Sequence, residues 1–134
     1  MACVKSTGGP SPARHNTHIL GHEGEQAARE YLEKQGYFII ESNYRCPVGE
    51  IDLIARDNDV LCFVEVKTRR TPRYGTPLET VTAEKQRRIS RVALHYLQKR
   101  HLEHTDARFD VVAVGVDHGK LHCELIRDAF EFIT

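Results

Sequence analysis

Asp52, Glu65 and Lys67 are the residues whose types and spacing could do chemistry in this chain. They stand in two apolar segments, Gly49-Glu50-Ile51-Asp52-Leu53-Ile54-Ala55 and Leu61-Cys62-Phe63-Val64-Glu65-Val66-Lys67. The polar break between them, Asp57-Asn58-Asp59, reads as a hairpin turn. With Asn58 and Asp59 as a two-residue loop, Ile54 faces Phe63, Asp52 faces Glu65 and Glu50 faces Lys67, all on one side. The other side sets Ile51, Leu53 and Ala55 against Val66, Val64 and Cys62, and it is wholly apolar. Both sides are therefore expected to be largely buried, apart from one charged cluster away from the turn. Like charges facing each other in a sheet are destabilising, and burying each ion costs roughly several kcal/mol unless it is compensated. A divalent cation removes that conflict, because Mg2+ favours one or two carboxylates together with waters and phosphate oxygens. Lys67, two residues after Glu65, projects from the same side. Two carboxylates, a cation and an ammonium suit phosphodiester hydrolysis. The cation polarises the phosphoryl group and lowers the pKa of a bound water, and the lysine orients that water or stabilises the developing charge.

The elements that must position these residues follow the order α-β-β-β-α-β-β, an α/β pattern with helices covering both faces of a mixed sheet. A first helix is expected over Leu20 to Gln35, with Ala28, Tyr31, Leu32 and Gln35 on one face and Gly36 as its stop. Tyr37-Phe38-Ile39-Ile40 opens the first strand, and the hairpin supplies the next two. Thr71 to Pro77 is a loop, rich in Pro and Gly. A second helix spans Ala83 to Arg100, capped by Thr82, and its stripe Ile89, Val92, Ala93, Tyr96, Leu97 has a 3.6-residue period. Phe109 to Val116 is a buried strand, and Asp117-His118-Gly119 turns into Lys120 to Ile126. There are no internal repeats and no sign of a second domain. Residues 1–17 read as a flexible tail and residues 18–134 as a single domain.

Two helical positions extend the candidate site. Glu25 lies three and seven residues before Ala28 and Leu32, on or beside the core-facing stripe. Gly21 and Gly24 nearby each cost about 1 kcal/mol of helix propensity relative to Ala, which suggests close approach to the sheet or substrate. Glu25 is either an additional metal ligand or a carboxylate favoured by the helix dipole, a role that suits Glu23 better. Lys85 and Gln86 continue the Ile89 stripe backward, so they hang over the sheet at the N-terminal end of the second helix. They suit a phosphate or a positioned water, and equally an ordinary polar first turn.

Net charge is zero, but residues 67–100 hold ten basic residues against Glu79 and Glu84. Phosphate binding follows local patches rather than totals. Arg69, Arg70 and Arg73 follow the strand of Glu65 directly and would emerge beside the metal, where a phosphate backbone must pass. Arg91, Lys99 and Arg100 read better as a solvated helix face. Glu50, if it faces Lys67, orients that lysine as an ion pair. Asp110 either pairs locally with Arg108 or supports the site from behind, and Tyr44 and Arg45 either contact substrate or pack a loop.

Asp52, a strand turn and then Glu65-Val66-Lys67 resemble the Asp…(Asp/Glu)-x-Lys motif of the restriction-endonuclease-like nuclease superfamily. The flanking residues sharpen the resemblance. Gly21-His22-Glu23-Gly24-Glu25-Gln26-Ala27-Ala28, Gly36-Tyr37, Asn43-Tyr44-Arg45, Gly49 to Ile54, Phe63 to Arg69, Lys85-Gln86 and Arg108-Phe109-Asp110-Val111-Val112 occur in the order seen in the YraN-like family. That family consists of small bacterial proteins similar to archaeal Holliday-junction resolvases, and the resemblance runs from Leu20 to Val116. It implies a restriction-endonuclease-like core and Mg2+- or Mn2+-dependent cleavage of DNA that leaves a 5′-phosphate and a 3′-hydroxyl. It also implies branched or structured DNA as substrate, DNA before RNA, and a homodimer by analogy with enzymes that cut two strands.

The rest of the composition bounds the reading. A chain of 134 residues can bury one sizeable core. No apolar run approaches the roughly 20 residues that span a bilayer, so no membrane partner is expected, and the first residues lack the apolar stretch of a secretory signal. Cys3, Cys46, Cys62 and Cys123 are scattered, which fits a reduced cytoplasm, with Cys62 as a buried small hydrophobe. The eight histidines lack ligand spacing for zinc, and His95, His101 and His104 read as the end of the second helix. Three functions stand. In the first, a metal-dependent nuclease, Asp52 and Glu65 hold the metal with the Val66 carbonyl and Glu25, and Lys67 assists the water. The second is a nucleic-acid-binding module without catalysis of its own. The third is an ion-paired core in a protein that binds other proteins.

Overall fold

A computed structural model of the protein describes residues 16–69 and 81–133. Along it run α1 (Asn16–Lys34), β1 (Phe38–Cys46), β2 (Gly49–Asp57), β3 (Val60–Arg69), α2 (Ala83–Lys99), β4 (Ala107–Asp117) and β5 (Lys120–Phe130). The order is the one expected. α1 begins at Asn16 rather than Leu20, so the last two residues of the expected tail are helical. The remainder of that tail, with Cys3, and the Thr71–Pro77 loop lie outside the described residues.

The helix ends follow from local chemistry. Gly36 takes φ 97 just past α1, and Tyr37 N–H reaches back to the Leu32 carbonyl at 3.0 Å. That is the six-to-one bond of a glycine-terminated helix, and it leaves Gln35 outside the helix. At α2 the Thr82 hydroxyl accepts from Lys85 N–H at 3.2 Å, as its capping role requires. α2 stops at Lys99, with Arg100 as its cap and His101 in the left-handed region at φ 57. His101 and His104 therefore lie beyond the helix that they were expected to finish.

The five strands form one open mixed sheet in the order β1-β2-β3-β4-β5. β3 and β4 pair in parallel through the α2 crossover, and every other neighbour is antiparallel. The expected hairpin register holds at Asp57–Val60, Ile54–Phe63 and Leu53–Val64, with Asn58 at φ 56 in the turn. Each face has its own helix and core. α2 lays its whole expected stripe on Tyr44, Ile51, Ile54, Phe63, Phe109 and Val111. α1 lays Ala28 and Leu32 on Leu53, Ala55, Cys62, Val64, Val112 and Val114.

One feature breaks the period-two pattern. Leu53 packs under α1, whereas Ile51, two residues away, packs under α2. Strict alternation would keep them together, and the sequence reading did so. The break falls at Asp52. Across the ladder, Asn43 sits at φ 55 between the pairs Ser42–Leu53 and Tyr44–Ile51. Asn tolerates that left-handed conformation better than most residues, so both strands turn over together at this point.

Candidate active site

The β2–β3 ladder ends at Leu53–Val64. Continued in register, it would pair Ile51 with Val66 and set Asp52 across from Glu65. Instead the Asp52 carboxylate takes the Val66 N–H at 2.8 Å, as an in-plane acceptor between parting strands. The N–H and C=O of one strand residue point to the same side, so the Val66 carbonyl faces that gap too. Glu65 shares a sheet face with Phe63, which lies under α2, and is 7% exposed. The acids are close enough to interact strongly. Burial, then the charge of Glu65, pushes the Asp52 carboxyl up to about 7, while the Val66 N–H works in the opposite direction.

Both helices contribute to this end of the hairpin. From α2, Lys85 places Nζ 2.6 Å from Glu65 Oε2, and Lys67 Nζ stands 3.9 Å from the same oxygen. Burial, then the neighbouring Lys85, holds Lys67 below the ordinary lysine value. Burial also acts against the Lys85 ammonium, but its bond to Glu65 outweighs it and raises Lys85. From α1, Glu25 is near enough for its charge to act on Asp52. Gly24 explains how α1 comes so near: a Cβ there would overlap Thr68 Cγ2 on β3. The expectation of close approach at Gly24 holds, with the sheet as the surface approached.

Other expected site residues are placed differently. Gln86 donates its side-chain amide to the Val81 carbonyl at 2.9 Å, so that group serves the entry to α2. Arg69 closes β3 beside Gly115, while Arg70 and Arg73 lie outside the described residues. Glu50 pairs with Arg45 at 3.3 Å, not with Lys67, because the ladder that would have joined them ends first. Tyr44 is buried and its hydroxyl meets His95 Nδ1 at 2.9 Å, which settles it as packing. Arg100 is held by Glu41 at 3.2 Å.

A second charged cluster was only partly foreseen. Asp110, wholly buried, accepts the Tyr37 hydroxyl at 2.7 Å, Arg108 Nε at 3.0 Å and the Asp128 N–H at 2.9 Å. Arg108 Nη2 also donates to Asp57 at 2.8 Å and to the Tyr37 oxygen at 2.9 Å. Burial, then Asp110, pushes the Tyr37 hydroxyl up to about 12, and burial likewise takes the Cys62 thiol to about 12. Local pairing of Asp110 with Arg108 was legible from their spacing. Tyr37 and Asp57, distant in sequence, gave no signal.

The donors can be tested against a metal. Among the described residues no three His, Cys, Asp or Glu side chains gather as a ready cage. The set at the strand gap is two carboxylates and one backbone carbonyl, all oxygen, with an electrostatic conflict already expressed at Asp52. That fits a hard divalent ion that keeps several of its waters.

Fold and site together define a mixed α/β protein, with five strands and two helices among the described residues and with paired acids and paired lysines where its central hairpin parts. The chain belongs to the UPF0102 family: the model of "Uncharacterised protein family UPF0102" matches residues 24–114. It is 58% identical over 113 residues to a UPF0102 protein of Symbiobacterium thermophilum, covering 83% of this chain and 95% of that one. A UPF0102 protein of Syntrophus aciditrophicus is 55% identical over 111 residues, 83% of this chain and 87% of its own. One from Geotalea uraniireducens is 48% identical over 122 residues, 90% and 96% of the two chains. Among the described residues no helix is long and apolar enough to cross a membrane.

Proposed function

We propose that this protein is a divalent-metal-dependent endonuclease that hydrolyses phosphodiester bonds in DNA, with branched or structured DNA as its substrate class. The observation that carries the reading is the pair Asp52 and Glu65, brought together at a strand gap beside Lys67. The resemblance of Asp52…Glu65-Val66-Lys67 to the restriction-endonuclease-like motif supports it, and so does the element order. In this reading Asp52, Glu65 and the Val66 carbonyl hold Mg2+ or Mn2+, with Glu25 supplementing them from α1. When bound, the ion polarises the phosphoryl group and lowers the pKa of a coordinated water. Lys67, already held below its ordinary value by burial and Lys85, positions that water and stabilises charge on the phosphoryl oxygens. Lys85, at the N-terminal turn of α2, together with Arg69, Arg70 and Arg73, binds the backbone. Two copies would serve a junction with two strands to cut.

A second reading, a nucleic-acid-binding module, is favoured by one observation: Lys85 and Lys67 already neutralise Glu65. Cleavage assays separate the two. Labelled four-way junctions, flaps, duplexes and single strands are incubated with Mg2+ or Mn2+. The nuclease reading expects nicking that leaves 5′-phosphate ends and falls by at least about 100-fold in Asp52→Asn, Glu65→Gln and Lys67→Ala. Retention of DNA without cleavage under every metal condition would establish the binding module instead.

A further inference from the structure

Two ammonium groups, Lys67 and Lys85, meet at Glu65. Its two lysines are not equivalent. Lys67 belongs to the same strand as Glu65, two residues on, and stands off at 3.9 Å. Lys85 comes from a different element and makes the close contact, 2.6 Å, while 32% of its side chain remains exposed. Its four-carbon stem lets the ammonium turn outward without moving α2. A divalent ion held by Glu65 would stand near that ammonium, and two cations on one carboxylate repel strongly in a partly buried place. An ammonium that leaves Glu65 needs another anion, and the partner in the proposed function, a nucleic-acid backbone, is one.

We propose that Lys85 exchanges Glu65 for a backbone phosphate, so that metal binding at Asp52 and Glu65 and nucleic-acid binding at Lys85 promote each other. The inference rests on the metal site of the proposed function. Coupling of this kind is reciprocal and typically about 5- to 150-fold. The metal site would then be loaded preferentially where a backbone is present.

The test is calorimetry with Mn2+ on wild type, Lys85→Met and Lys85→Arg, with and without a short single-stranded DNA of hydrolysis-resistant phosphorothioate linkages. In wild type, DNA should tighten Mn2+ binding by about fivefold or more. Lys85→Met should bind Mn2+ about fivefold or more tighter than wild type without DNA, and DNA should then add less than about twofold. Lys85→Arg, which keeps the charge, should stay close to wild type. Mn2+ binding that is indifferent to both DNA and Lys85→Met would overturn the exchange and leave the metal site standing. No Mn2+ binding by any protein in either condition would overturn the metal site and the exchange with it. Wild-type Mn2+ binding that DNA does not tighten would overturn the exchange without any variant, so the proposal stays open to refutation even where a substitution unfolds the chain.

Discussion

Asp52 sets how the site responds to pH. Its carboxyl is pushed up to about 7, first by burial and then by Glu65, whereas an aspartate in the unfolded chain titrates near about 3.9. Between those values the folded chain holds the proton more firmly than the unfolded one. Stability from this residue is therefore complete below about pH 3.9 and lost as pH rises through about 7. Asn at position 52 cannot ionise, yet its side-chain oxygen can still accept the Val66 N–H. Thermal melts should accordingly show Asp52→Asn less stable relative to wild type near pH 4 than near pH 8, with the lines converging or crossing between. Parallel curves across that range would mean that Asp52 ionises without cost. Mn2+ should raise the wild-type melting temperature more at pH 8 than at pH 5, because protons compete with the metal for the same oxygens, and the Asn variant should lose most of that rise. Asp52, Glu65 and Lys67 were legible because acids in an apolar strand are conspicuous. The partner of Lys85 was not: helical spacing says which face a side chain occupies, but not whether it reaches a phosphate or the neighbouring glutamate.

At the scale of elements, the packing of α1 on β3 is the joint that brings Glu25 to the site. Helix propensity alone says that Gly24→Ala should stabilise α1 by about 1 kcal/mol. Contact says the reverse, because the new methyl overlaps Thr68 Cγ2. Overpacking of this kind costs about 1–3 kcal/mol, so urea unfolding should find Gly24→Ala less stable than wild type. Adding Thr68→Ser, which deletes Cγ2, should recover most of the loss, a coupling that a double-mutant cycle measures directly. A stabilised Gly24→Ala would mean that α1 sits farther from the sheet. Much at this scale was readable. The two-residue Asn58-Asp59 turn fixes the hairpin register, and the stripe from Ile89 to Leu97 and the Gly36 stop define the helices. The end of the β2–β3 ladder was not readable, because an aspartate side chain can replace a backbone carbonyl as acceptor and nothing in a two-residue alternation marks where it does.

For the molecule as a whole, the informative contrast lies between the two ends of β3. At its start, Tyr37, Asp57, Arg108, Asp110 and Arg127 tie the exit of α1, the hairpin turn, β4 and β5 into one network. Burial works against the charge of Arg108, but Asp57, Asp110 and Tyr37 outweigh it and raise that guanidinium. Among the described residues no buried side-chain polar atom lacks a partner. Removing Arg108 would take the ion-pair partner from Asp110, which is wholly buried and would keep only the Tyr37 hydroxyl and the Asp128 N–H. Breaking a buried pair from one side costs about 3–5 kcal/mol. Tyr37→Phe removes only a hydroxyl and should cost about 1–3 kcal/mol. Chemical denaturation of Arg108→Met and Tyr37→Phe checks both magnitudes and their order; an Arg108→Met loss under about 1 kcal/mol would show that the network is incidental. The variants should also leave Mn2+ binding at the far end of β3 largely unchanged wherever the protein stays folded, since the two clusters share no residue. That separation bears on function. Charge at the start of β3 is closed by hydrogen bonds from four elements and serves the scaffold. At the other end the strands part, one acid is lifted to about 7, and two lysines converge on a single oxygen. The first cluster is satisfied within the scaffold, the second keeps a conflict that a divalent ion would relieve, and the proposed function sets its metal there.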